Sequence, residues 1–148
     1  RQFDAQFAEA FERCRRDGVP IVAALVDVDH FKRLNDRYSH AGGAAGLRAL
    51  APLLSAAAGA DGLVARYGGE EFALAFPGRT LAMATDACEA LRAAVERLRF
   101  EAINPALRVT ISVGLCAQAD APNHERLLAA ADRNLYLAKD GGRNRLVG

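Results

Sequence analysis

The chain has 148 residues, 51% hydrophobic and 25% charged, with a formal net charge of +1. That composition supports one packed core and excludes a disordered chain. The charge balance is too even for a protein whose main work is gripping duplex nucleic acid, so no nucleic-acid partner is expected. Cys14, Cys88 and Cys116 show no zinc-ligand spacing and read as reduced thiols in a cytoplasmic protein. The apolar stretch at residues 19–26 is too short to span a membrane. No Met opens the chain, so residues 1–148 are expected to be a single domain cut from a longer protein.

Phe3, Phe7, Ala10, Phe11 and Cys14 recur at helical spacing, predicting an amphipathic helix over residues 4–17 that ends at Asp17-Gly18. Ile21-Val22-Ala23-Ala24-Leu25-Val26-Asp27-Val28 is a continuous apolar run, as expected of a central strand buried on both faces. A helix is expected over residues 40–58, then strands at 63–67 and 71–76. Gly68-Gly69 between them is a hairpin signal, because both positions can take positive φ. Residues 80–99 carry a helical apolar stripe, 107–117 a strand, 125–139 a helix, and Arg145-Leu146-Val147 a last edge strand. The fold class is α/β (α+β): a ferredoxin-like βαββαβ core, its mostly antiparallel sheet carrying helices on one face.

Asp27 and Asp29 close the first strand, and Glu70 and Glu71 open the third. Those strands are antiparallel neighbours in this topology, so the acids converge. Clustered carboxylates repel and raise one another's pKa unless a cation lies among them. Mg²⁺ suits one or two carboxylates plus substrate phosphates. Gly68 and Gly69, lacking side chains, would let a phosphate chain approach backbone N–H groups.

Arg66-Tyr67-Gly68-Gly69-Glu70-Glu71-Phe72 resembles the signature loop of GGDEF domains, in its GGEEF form. Asp27-Val28-Asp29-His30-Phe31-Lys32-Arg33-Leu34-Asn35-Asp36 resembles the family's DxDHFKxxND segment. Val109-Thr110-Ile111-Ser112-Val113-Gly114, the helix ending Leu135-Tyr136-Leu137-Ala138-Lys139, and Gly142-Arg143-Asn144-Arg145 resemble three further family segments in order. The resemblance implies a fold like the palm of nucleotidyl cyclases. It also implies condensation of two GTP molecules into cyclic di-GMP with loss of pyrophosphate, by a homodimer driven by an upstream sensory domain. Implied metal ligands for Mg²⁺ (or Mn²⁺) are Asp27, the Val28 carbonyl and Glu70. Glu70 would also help deprotonate the 3′-hydroxyl. Lys32, Lys139 and Arg143 would hold phosphates, with Phe31 and the Gly68-Gly69 backbone behind them; Asn35 would read guanine, with His40 near it.

Two departures stand out. The family's GHxxGDxxL reads here Ser39-His40-Ala41-Gly42-Gly43-Ala44-Ala45-Gly46-Leu47, so Ser39 replaces a glycine and Ala44 the guanine-reading aspartate. The family's RxxD product-inhibition site falls on Gly59 and Gly62, so none is expected. Ala44 leaves two other readings open: a regulatory module that binds GTP or a partner without turnover, and a cyclase with relaxed base choice.

Overall fold

A computed structural model describes residues 2–101 and 103–148. Its centre is β1 (Ile21–Val28), in which all eight residues are buried. A strand apolar on both faces needs hydrogen-bonded neighbours on both edges. It has them in β3 (Glu71–Pro77) and β4 (Ile111–Ala117), both antiparallel to it. The sheet is completed by β2 (Leu63–Arg66), antiparallel to β3, and β5 (Leu146–Val147), parallel to β4, in the order β2-β3-β1-β4-β5. The expected ferredoxin-like core is present, with its third strand beside its first.

Four helices flank this sheet: α1 (Gln2–Asp17), α2 (Phe31–Ala58), α3 (Leu81–Arg97) and α4 (His124–Asp140). The two within the βαββαβ core, α2 and α3, lie on one face as expected, and α1 and α4 cover the other. Val22, Ala24 and Val26 pack with Leu50 and Leu54 of α2 and Cys88 and Leu91 of α3. Ile21, Ala23 and Leu25 pack with Phe7 and Phe11 of α1 and Leu127 and Leu135 of α4. The helices inside the βαββαβ unit share one face; the two outside it cover the other, because alternation gives β1 two apolar faces to shield.

The approach of α4 is set by one glycine. A Cβ on Gly114 of β4 would lie 2.1 Å from the Leu135 nitrogen and 2.2 Å from the Ala131 oxygen. The helix backbone therefore rests directly on the strand. The three cysteines are buried, and burial pushes the Cys88 thiol up to about 12. Among the described residues no helix is long and apolar enough to cross a membrane.

Helix α2 begins nine residues earlier than expected and is broken at Ser39, where φ is 68° and ψ 172°. That region of backbone space is almost reserved for glycine and costs a residue with a Cβ about 1–3 kcal/mol. Ser39 offsets part of this by capping the second half of the helix: its Oγ accepts the Gly42 N–H at 3.5 Å. Such a cap is worth only a few tenths of a kcal/mol over glycine, and the extra freedom of an unfolded glycine costs about 0.4–1 kcal/mol. Strain relief wins. Ser39→Gly is expected to stabilise the domain by about 1 kcal/mol in urea titration, whereas Ser39→Ala, which keeps the strain and loses the cap, should destabilise it.

Candidate active site

The end of β1 carries two carboxylates that water barely reaches: Asp27 is 6% exposed and Asp29 8%. Asp27 is ion-paired through Oδ2 with Lys139 on the last turn of α4. Its Oδ1 is buried and has no hydrogen-bond partner. A buried carboxylate oxygen with nothing donating to it is costly, and a cation is the partner that removes the cost. The strand register sets Asp27 opposite Glu71, and the Val28 N–H donates to the Glu70 carbonyl at 3.1 Å. The expected convergence of the two acidic segments is therefore present, with Glu71 as the cross-strand neighbour of Asp27. Glu70 lies one residue further on, beside α2.

The density of negative charge registers on Glu71, whose carboxyl is raised above its ordinary 4.5. Burial is the largest cause; the carboxylates of Asp27, Asp132 and Glu70 add to it, and Lys139 opposes it. Among the described residues no group of three or more His, Cys, Asp or Glu side chains is gathered as a ready metal site. The donor set nevertheless fits Mg²⁺, which takes few carboxylates and completes its shell with carbonyl, phosphate and water oxygens. The orphaned Asp27 oxygen is the observation that carries this fit.

Beside Glu70 a cavity of about 400 Å³ opens between α2 and the β2–β3 turn. Helix α2 supplies Phe31, Lys32, Asn35, His40, Ala44 and Leu47, and the turn supplies Arg66, Gly69 and Glu70. The structure thus brings together Phe31, Lys32, Asn35, His40, Gly69 and Glu70 as expected. Lys139, Asp27, Val28, Gly68 and Arg143 are not in its lining. Lys139 is held by Asp27, and Arg143 lies exposed in the turn after α4.

Neither Gly68 nor Gly69 has positive φ, which corrects the hairpin argument. Instead the Glu71 carbonyl accepts the N–H groups of both Tyr67 (2.7 Å) and Gly68 (3.1 Å), closing a wider turn. The Arg66 guanidinium braces it by donating to the carbonyls of Gly68 (3.3 Å) and Gly69 (2.6 Å). A Cβ on Gly69 would meet no atom within 4 Å, so packing within the chain does not demand glycine there. Close approach by a ligand would.

Two functional residues escaped the sequence. Arg66 braces the turn and lines the cavity; its place at the head of the Arg66–Phe72 segment was the only signal. Gly43 is the other: a Cβ there would lie 1.7 Å from Asn35 Oδ1 and 3.1 Å from Phe31 Cζ. It makes room for the amide of Asn35, whose Oδ1 is buried with no hydrogen-bond partner. Asn35 therefore presents an unused acceptor beside the cavity, and Ala44 next to Gly43 adds no polar group.

The chain matches the family model for the diguanylate cyclase GGDEF domain over residues 1–145. It is 38% identical to the response regulator PleD of Caulobacter vibrioides over 151 aligned positions, covering all of this chain and 33% of PleD. It is 37% identical to the diguanylate cyclase DgcP of Pseudomonas aeruginosa, covering 90% of this chain and 20% of DgcP. The chain thus spans a third or less of these relatives. Its structure is similar to the crystal structure of the GGDEF domain of DgcB from Caulobacter crescentus in complex with c-di-GMP, with a TM-score of 0.91, 31% identity, and coverage of 98% of this chain and 86% of that one.

Because the folded chain holds the Glu71 proton more tightly than the unfolded chain, ionised Glu71 works against folding. The stability it lends is fully present below 4.5 and is lost as pH rises through its raised folded value. Glu71→Gln is therefore expected to melt higher than the parent at neutral pH in chelator, with the difference vanishing below pH 4.5. Thermal melts across pH measure this; an equal gain at every pH would contradict it.

Proposed function

The chain belongs to the GGDEF family of diguanylate cyclase domains, and from that premise we propose that it condenses two GTP molecules into cyclic di-GMP, at the interface of two facing copies, with Mg²⁺ (or Mn²⁺). The observation that carries this reading is the cavity that gathers Phe31, Lys32, Asn35 and Glu70, with Glu70 on the segment that pairs with the end of β1 where Asp27 keeps an unpartnered oxygen. In the longer protein an upstream sensory domain would control the pairing of copies, on the cytoplasmic side. GTP is the small-molecule partner.

In the proposed reaction the 3′-oxygen of one GTP attacks the α-phosphorus of the other. The bond from that phosphorus to the β-phosphate oxygen breaks, pyrophosphate leaves, and the hydroxyl proton passes to Glu70. The same exchange on the second copy closes the ring. Asp27, the Val28 carbonyl and Glu70 are the groups that would hold the divalent cation, whose charge offsets that developing on the reacting phosphate oxygens. Lys32, Lys139 and Arg143 neutralise the triphosphate, Lys139 exchanging Asp27 for a phosphate. The open side of Gly69, with Gly68, lets the phosphates lie against the turn. Phe31 backs the same site from the core. Asn35 Oδ1 accepts from the guanine edge, with His40 at the cavity mouth.

Ala44 favours a second reading, of weak base selectivity. An amide alone offers one acceptor and one donor group, which match guanine and adenine edges alike. A carboxylate at position 44 would add an acceptor suited to the N–H groups of guanine. Incubation with GTP, ATP and Mg²⁺, with the cyclic products identified by mass, separates the cases. Cyclic di-GMP is expected from GTP. Glu70→Gln should lower turnover by about 10²–10⁴-fold, and Ala44→Asp should tighten GTP binding by about tenfold to a hundredfold. Full activity in Glu70→Gln would remove the proposed role of that residue. GTP binding without any product at high protein concentration would favour a regulatory module.

Feedback through the loop after α2 is not expected. Gly59 caps that helix at φ 77°, and a Cβ there would lie 2.4 Å from an Arg79 nitrogen; a Cβ on Gly62 would lie 2.2 Å from the Ala58 oxygen. The backbone itself leaves no place for an arginine and an aspartate at these positions. Cyclic di-GMP should neither inhibit the domain through this loop nor bind there saturably, as calorimetry and loop-residue NMR shifts would test.

A further inference from the structure

Asp29 is buried two residues past Asp27, yet the proposed reaction does not use it. Its carboxylate is engaged elsewhere. Thr110 Oγ1 donates to Oδ2 at 2.7 Å, Ser112 Oγ donates to Oδ1 at 2.6 Å, and the backbone N–H of Asn144 donates to Oδ2 at 3.0 Å. The third bond crosses from β1 to the turn after α4, and that turn is unusual. Gly142, Arg143 and Asn144 are consecutive residues at positive φ, 123°, 64° and 48°. Glycine adopts such angles freely, but arginine does not, and a run of them persists only where the surroundings hold it.

The holding groups can be named. The Arg143 N–H donates to the Ala138 carbonyl at 3.0 Å, and the Arg145 carbonyl accepts the Val113 N–H at 3.0 Å. Asn144 Oδ1 accepts from Arg92 at 2.8 Å and its Nδ2 donates to Glu96 at 2.6 Å, both on α3. Asp29 supplies the remaining tie, and it is the one that comes from the strand carrying Asp27. Arg143 stands in the middle of the pinned turn, four residues past Lys139.

We propose that Asp29 is a positioning residue: by accepting the Asn144 N–H it fixes the left-handed turn at residues 142–144, and so sets how firmly Arg143 contributes to binding a nucleoside triphosphate. The proposal rests on the reading of Arg143 as a phosphate-holding residue. What the turn requires from position 29 is an acceptor rather than a charge. The Thr110 and Ser112 hydroxyls can reverse their hydrogen bonds, but a backbone N–H can only donate. Asparagine, its oxygen toward Asn144 and its amide toward Ser112, therefore satisfies the whole cluster, and alanine satisfies none of it.

The test combines calorimetry of a non-hydrolysable GTP analogue with Mg²⁺ and amide exchange of the intact domain by NMR. Asp29→Ala and Arg143→Ala should each weaken the analogue by about tenfold or more. The double variant should be no weaker than the worse single one, because both act through the same contact. Asp29→Asn should stay within about threefold of the parent. The Asn144 amide should be protected in the parent and in Asp29→Asn, and exchange freely in Asp29→Ala. Should Asp29→Ala not fold, Asp29→Glu, which keeps the charge and shifts the acceptor by one methylene, should show the same loss. Parent-like affinity in Asp29→Ala or Asp29→Glu with Arg143→Ala impaired, full additivity in the double variant, or an Asn144 amide still protected in Asp29→Ala would each overturn the proposal. Parent-like affinity in Arg143→Ala would instead refute the phosphate reading, and take the proposal with it.

Discussion

Burying ionised carboxylates costs several kcal/mol each unless other groups replace the lost water. Asp27 lies at the end of the most buried strand of the domain and Asp29 directly follows it, so the elements around that strand are organised by what they offer these two side chains. Helix α4 offers Lys139 to one. Strand β4 and the turn after α4 offer two hydroxyls and a backbone N–H to the other. Asp29 is fully satisfied and Asp27 is left one oxygen short. The two acids have the same chemistry and sit two residues apart, yet one is fully hydrogen-bonded within the fold and the other keeps a buried acceptor unmatched.

The same division runs through the site. The side of the sheet covered by α4 is fixed by backbone contact and by an ion pair whose carboxylate is buried. The side covered by α2 carries the cavity, and there the helix is interrupted at Ser39 and the amide of Asn35 is accommodated by a missing side chain at Gly43. In the proposed reaction phosphate and metal handling is shared, with Lys139 and Arg143 on the first side and Lys32 and Glu70 on the second, while base reading falls to the second alone. Ala44 alters the second and leaves the first as it stands.

Much of this was legible in the sequence for plain reasons. Eight apolar residues in a row can only be a strand shielded on both faces or a buried helix segment, and the flanking proline and acids favour the strand. The acidic segments met because strand order follows from βαββαβ topology. The start of α2 was missed because residues 31–38 are mostly polar, with Leu34 buried among them; their polar side chains serve the cavity and solvent rather than a core. Strand β4 starts later than its alternating pattern suggested, because Asn104 takes the N–H groups of Ala106 and Leu107 through its side chain and carbonyl. The Asn35–Gly43 fit could not be read at all, since it spans the break at Ser39, where helical spacing no longer says which residues face each other.

Gly114 carries a consequence of another kind. The seat of α4 on the sheet is decided by the absence of one methyl group, not by any group that touches a ligand. A lineage can therefore exchange ligand-facing residues while the scaffold stays recognisable from end to end, and overall likeness follows volume at such contacts more closely than it follows chemistry. The family model accordingly runs almost the whole length of this chain although position 44, aspartate in the family's motif, is alanine. For domains of this architecture, inheritance of shape and inheritance of activity are governed by different residues and can drift apart.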